Sequence, residues 1–204
     1  YLFAPYIYII DPHLRGDLAE FLALGIAPVA LWSVSAYQHN STRSRLILAV
    51  LMPAALILSH NLLGLAFFGL LAGQWLWLTT LNRPKPSTAL SHALPLFLAV
   101  GLAAFFWLPV ALESGSVQLH NLVGPVHFDF REHFMAPAEL FAPSLPLDLG
   151  SINPAFRFNL GLAQWVLGLL GLFGLGLKLR SSPSWLGGFW LFSSIILIVL
   201  MLPI

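Results

Sequence analysis

From Leu90 to Val110 the chain reads LSHALPLFLAVGLAAFFWLPV, with no charged residue anywhere in it. About 20 apolar residues in succession are what an α-helix needs to cross the hydrocarbon of a bilayer. Such a run leaves few folds open, because in lipid every backbone N–H and C=O must be paired within the segment itself or in a closed barrel. Further runs of the same kind lie at roughly 18 to 37, 46 to 59, 61 to 80, 158 to 177 and 185 to 204. The run from 46 to 59 is short, about 21 Å at a rise of 1.5 Å per residue, and is expected to lie among its neighbours or to be extended by its flanks. The expected fold is therefore an all-α integral membrane protein with about six transmembrane helices, forming one polytopic domain over residues 1 to 204.

Composition agrees. Hydrophobic residues make up 58% of the chain and charged residues 8%, with a mean hydropathy of +0.85, whereas soluble domains average roughly 45–50% apolar and about 25% charged. The 16 Gly and 15 Pro fit as well, both being commoner in transmembrane than in soluble helices. A formal net charge of +1 offers no basic stripe for nucleic acid, and the absence of Cys excludes disulfides and thiolate metal sites. The chain begins at Tyr1 rather than Met and stops within an apolar run, so it is expected to be a piece of a longer protein.

Charge asymmetry orients the spans. An alternating path puts 38 to 45, 81 to 89 and 178 to 184 on one side, and these carry Arg43, Arg45, Arg83, Lys85, Lys178 and Arg180. Arg15, Arg131 and Arg157 fall on the other side, so the first side is expected to be cytoplasmic. Asp11, Asp17, Glu20, Glu113, Asp129, Glu132, Glu139 and Asp148 all fall on the outer side. The arrangement requires a hairpin with His60 at its outer tip between the second and third spans. Trp75, Trp77, Trp107 and Trp165 near span ends suit an interfacial aromatic belt.

No ionisable group marks the middle of a span, which disfavours coupled ion transport. Polar residues gather instead on the outer side, in three pieces. In DPHLRGDLAE, Asp17 and Glu20 suit the N-terminus of the first span, and the Arg15 guanidinium offers a planar fork to a phosphate. In SHN, His60 can donate to a lipid phosphate or act as acid or base, with Asn61 beside it; a plain turn in which Asn bonds its own backbone is the alternative. The third piece, PVHFDFREHFMAPAELF, lies within the outer loop 111 to 157. Its Phe130, Phe134, Ala138 and Phe141 would line one face of a helix lying in the interface, with Pro137 starting a further turn. His127, Asp129, Glu132 and His133 are metal-ligand types at close range, a weak indication of a divalent ion. No nucleophile elbow, P-loop or Rossmann glycine pattern occurs, and GLLGLFGLG fits helix packing within a span.

The phrases APYIYIIDPHLRGDLAEFLALGIAPVAL, LILSHNLLGLAFFGLL, AAFFWLPVALES and REHFMAPAELFAPSL, with NLGLAQWVLGLLG after them, resemble YfhO-like polytopic bacterial membrane proteins, which resemble the GT-C superfamily of glycosyltransferases. The resemblance implies an enzyme of the bacterial cytoplasmic membrane that takes a sugar from a polyprenyl-phosphate carrier on the extracytoplasmic face. In such enzymes an acid in the first outer loop acts as base or binds a metal ion; that loop would precede Tyr1. On this reading Arg15, His60, Asn61 and Arg131 are candidates for holding the carrier phosphate, and His60, Glu20 and Asp129 for acid or base chemistry. The alternatives are a non-catalytic membrane subunit that docks protein partners, and a transporter of lipid or polysaccharide.

Overall fold

A computed structural model describes residues 4, 6–116, 134–143, 145, 150, 159–181 and 185–202. Helices dominate, and no strand occurs among the described residues. A π-helical segment, Tyr6–Arg15, comes first, followed by α1 (Leu18–His39), α2 (Arg43–Ser59), α3 (Asn61–Asn82), α4 (Pro86–Leu102) and α5 (Ala104–Leu112). After a 3₁₀ turn at Ser114–Ser116 come α6 (Pro137–Phe141), α7 (Leu162–Ser181) and α8 (Trp185–Met201). The chain divides into two compact units: Ala19–Leu119, and Tyr1–Leu18 together with His120–Ile204.

Among the described residues two helices, α1 and α3, are long and apolar enough to cross a membrane, and α4 with α5 makes a third if the bent pair is one span. This is fewer than the six expected. The helix α2 has 17 residues, and Leu162–Leu177 and Leu186–Met201 are shorter apolar helices among the described residues. The run from 90 to 110 is not one straight helix: α4 and α5 meet at 68° across Ala103. Hydropathy registers how apolar a run is and not whether its backbone ladder continues.

In the first unit, α1 to α4 run up, down, up and down. The ligand atoms of Glu20 and His60 lie within 4.8 Å at the start of α1 and α3, and Gln74 bonds Gln38 near the end of α1. Both contacts hold only if α1 and α3 are parallel. The turns bearing Arg43, Arg45, Arg83 and Lys85 thus share one end of the unit, and His60 lies at the other. The hairpin expected at His60 is present, since α2 ends at Ser59 and α3 starts at Asn61.

Small residues let these helices approach. Ala23, Ala27 and Ala30 form a fully buried seam on α1 against Leu56, with Val34, Tyr37, Ala49, Leu71 and Leu96 packed beyond it. At Gly64 an added Cβ would stand 2.8 Å from the Ile57 Cα, so the α2–α3 hairpin closes only over a glycine. Meanwhile Trp32, Leu62, Phe97 and Phe105 point outward, each at least 60% exposed. Alanine inside and large apolar side chains outside is compatible with helices packed in a membrane.

The turns at the cationic end are fixed by backbone caps. The Arg45 guanidinium donates to Ala36 O (3.1 Å) and Asn40 O (3.4 Å), carbonyls at the C-terminal end of α1 that also accept from Asn40 N and Thr42 N, so a cation sits at the negative end of the helix. Replacing Arg45 with Met is expected to lower stability by about 1 kcal/mol, with Lys restoring part of it, as measured by thermal unfolding in detergent micelles. Arg83 ends α3 in the left-handed region (φ 44°), its N–H reaching Thr79 O.

In the second unit the π-helical segment carries Pro12 within it, and Gly16, at φ 67°, turns the chain toward α1. Of the helical face expected through Phe130, Phe134, Ala138 and Phe141, Phe130 lies outside the described residues and Phe134 is not in a helix. Residues 134–136 are non-helical, as a following proline favours, and the Met135 N–H donates to Met201 O. Pro137 does open a short helix. Trp165 holds α6 against α7, its indole N–H donating to Leu140 O (2.8 Å) and its ring stacked 4.4 Å from Phe141. The Trp75 indole N–H likewise has a protein acceptor, Ala89 O.

Candidate functional site

The His60 turn is built from two helix ends. The His60 N–H reaches Leu56 O and closes α2, while His60 O accepts from Gly64 N (2.7 Å) and opens α3. Its backbone is extended (φ −154°, ψ 118°), which breaks the helix, and its Nδ1 accepts from the Leu63 N–H at 3.2 Å. The imidazole thus does the work that Asn, Asp or Ser usually does at an N-cap. A ring whose Nδ1 accepts carries the proton of its neutral form on Nε2. Next to it, Asn61 Oδ1 accepts from Leu62 N at 2.8 Å, which leaves the amide Nδ2 of the exposed side chain as a donor.

Glu20, in the first turn of α1, brings a carboxylate oxygen within 4.8 Å of a ring nitrogen of His60. Asp17, one helical turn earlier in sequence, directly precedes α1, as its capping role anticipates. Carboxylate and imidazole are donor types that divalent ions accept. The cap argues against such an ion here: a metal bound at Nε2 would force the proton onto Nδ1, where it would face the Leu63 N–H. The two residues set a carboxylate near an imidazole at the starts of α1 and α3.

Below the turn lies a cavity of about 380 Å³, within the range of small-molecule sites. Ile57, Gly64, Leu65 and Phe68 wall one side, Val100, Phe106, Trp107 and Val110 the other, and Asn61 is the polar side chain of the lining. The bend between α4 and α5 makes this space, and it is fixed from within: the Trp107 indole N–H donates to Val100 O (2.9 Å), one of the terminal carbonyls of α4. A greasy hollow with the Asn61 amide in its lining, next in sequence to His60, suits a molecule with an anionic or hydroxylated head and an apolar tail.

Of the residues singled out in the sequence, Glu20, His60 and Asn61 come together. Arg15 closes the π-helical segment, and its side chain is outside the described residues, as are Arg131, His127, Asp129, Glu132 and His133 in full. Sequence reasoning overlooked Gly64, the α4–α5 bend and the place of Trp107 in the cavity wall; the signals were Gly64 four residues past the turn and Pro109 within the apolar run. Compared with known proteins, the chain matches no family model, no curated protein and no solved structure.

Proposed function

We propose that this chain belongs to an integral membrane glycosyltransferase of the GT-C kind that takes a sugar from a polyprenyl-phosphate carrier at the extracytoplasmic face of a bacterial cytoplasmic membrane. The observation that carries the proposal is an apolar cavity with the Asn61 amide in its lining, next in sequence to His60 and its neighbour Glu20, at the end of the bundle remote from Arg43, Arg45, Arg83 and Lys85. On this reading the carrier's chain occupies the cavity between Phe68 and Trp107. The His60 Nε2–H and the Asn61 amide donate to its phosphate, which takes up charge as the bond to the sugar breaks. The Glu20 carboxylate accepts the proton of the attacking hydroxyl. Basic turns at the opposite end match the cytoplasmic side.

Sugar transfer from purified polyprenyl carriers, measured for His60→Asn and Glu20→Gln in the intact protein, tests this reading. Both are expected to be strongly impaired. Full activity in both would favour the reading of a non-catalytic subunit.

A further inference from the structure

The α1–α3 seam holds a second polar group, about 21 Å along α3 from the His60 turn at 1.5 Å per residue. Gln74 is fully buried, and its Nε2 donates to Ser35 Oγ (3.0 Å) and Gln38 Oε1 (3.1 Å). Ser35 in turn donates to Leu31 O at 2.8 Å. Two buried atoms then lack a partner among the described residues: Gln74 Oε1, an acceptor, and Gln38 Nε2, a donor. Val34, Tyr37 and Leu71, all buried, belong to the apolar core between the same two helices.

Amide oxygen and nitrogen can exchange places by a half-turn of the side chain. Turning both amides leaves Gln74 Nε2 and Gln38 Oε1 unpaired instead. Turning only one sets two donors or two acceptors against each other. Each consistent arrangement therefore retains one lone donor and one lone acceptor, and each such group costs about 1–3 kcal/mol when buried unsatisfied. An anion would satisfy the donor and repel the acceptor, and a cation the reverse. Only a small neutral group that both donates and accepts serves the two together.

We propose that the seam binds an ordered water molecule that accepts from one glutamine amide and donates to the other, completing a polar clamp between α1 and α3. Buried waters of this kind typically make about three hydrogen bonds to groups otherwise unsatisfied. The clamp holds the two helices in the register that brings Glu20 to His60. It is independent of the lipid-carrier reading, since none of its residues lines the cavity.

The test is water-to-amide cross-relaxation by NMR on the full chain in lipid nanodiscs, with ¹⁵N-labelled glutamine. Four glutamines are present, Gln38, Gln74, Gln118 and Gln164, and Gln38→Met and Gln74→Met assign the pair. The expected result is a cross-peak to long-lived water at the Gln38 or Gln74 side-chain amide, lost from the surviving glutamine when its partner becomes Met. Where one Met variant does not fold, the other suffices, since either removes half of the site. Absence of the cross-peak in the unsubstituted protein, or its persistence in a folded Met variant, would overturn the proposal.

Discussion

Gly64→Ala is expected to destabilise the protein by about 2–3 kcal/mol, the upper range for overpacking a well-filled interior, although alanine is the better helix former. The added Cβ would stand 2.8 Å from the Ile57 Cα and 3.3 Å from Leu56 O. Both are backbone atoms, so no flexible side chain can swing away and the α2–α3 hairpin must open. Gly69, on the same helix, supplies the control: a Cβ there meets nothing within 4 Å. Gly69→Ala is expected to be neutral or to stabilise by up to about 1 kcal/mol. Thermal unfolding in one detergent compares the pair, and equal effects would show that the helix, and not the crossing, decides.

His60→Asn is expected to lower sugar transfer by about 100-fold or more, the usual worth of a positioned proton-transferring or charge-stabilising group, while leaving stability within about 0.5 kcal/mol of the parent. Asparagine is among the best N-cap residues, so it replaces the bond from Leu63 N to His60 Nδ1 and removes only the Nε2–H. His60→Ala should lose both, with about 1 kcal/mol of stability gone as well. Glu20→Gln should match His60→Asn in activity, and the double variant should be little worse than either, because groups that act as a unit are not additive. Activity near that of the parent in His60→Asn would remove the imidazole from the chemistry.

Much of the first unit was legible in its sequence because apolar runs of this length, bounded by turn residues, favour helices. The hairpin at His60 followed from charge alternation, and Pro137 correctly marked the start of a helix. The cap at His60 was hidden, because histidine is read first as an acid, base or ligand and its Nδ1 as an N-cap acceptor second. The bend at Ala103 was hidden for a different reason: LAVGLAAFFWLPV is apolar on both sides of the break, and only Gly101 and Pro109 hint at it. Gln74 was visible as an amide within LLAGQWLW, but its meaning depends on Ser35 and Gln38, which lie on another helix. The loop residues offered as metal ligands lie beyond the described part of the chain, and the His60 turn, itself a poor metal site, does not replace them.

Sidedness underlies the whole reading, and the absence of Cys makes it directly measurable. Single cysteines at Ser41, Ser87 and Leu62, all exposed, can be challenged with a membrane-impermeant maleimide in intact and in permeabilised cells. Leu62→Cys is expected to react in intact cells, and Ser41→Cys and Ser87→Cys only after permeabilisation. Labelling of Leu62→Cys and Ser41→Cys from the same side would contradict a bundle that spans the membrane with Glu20 and His60 on its outer rim.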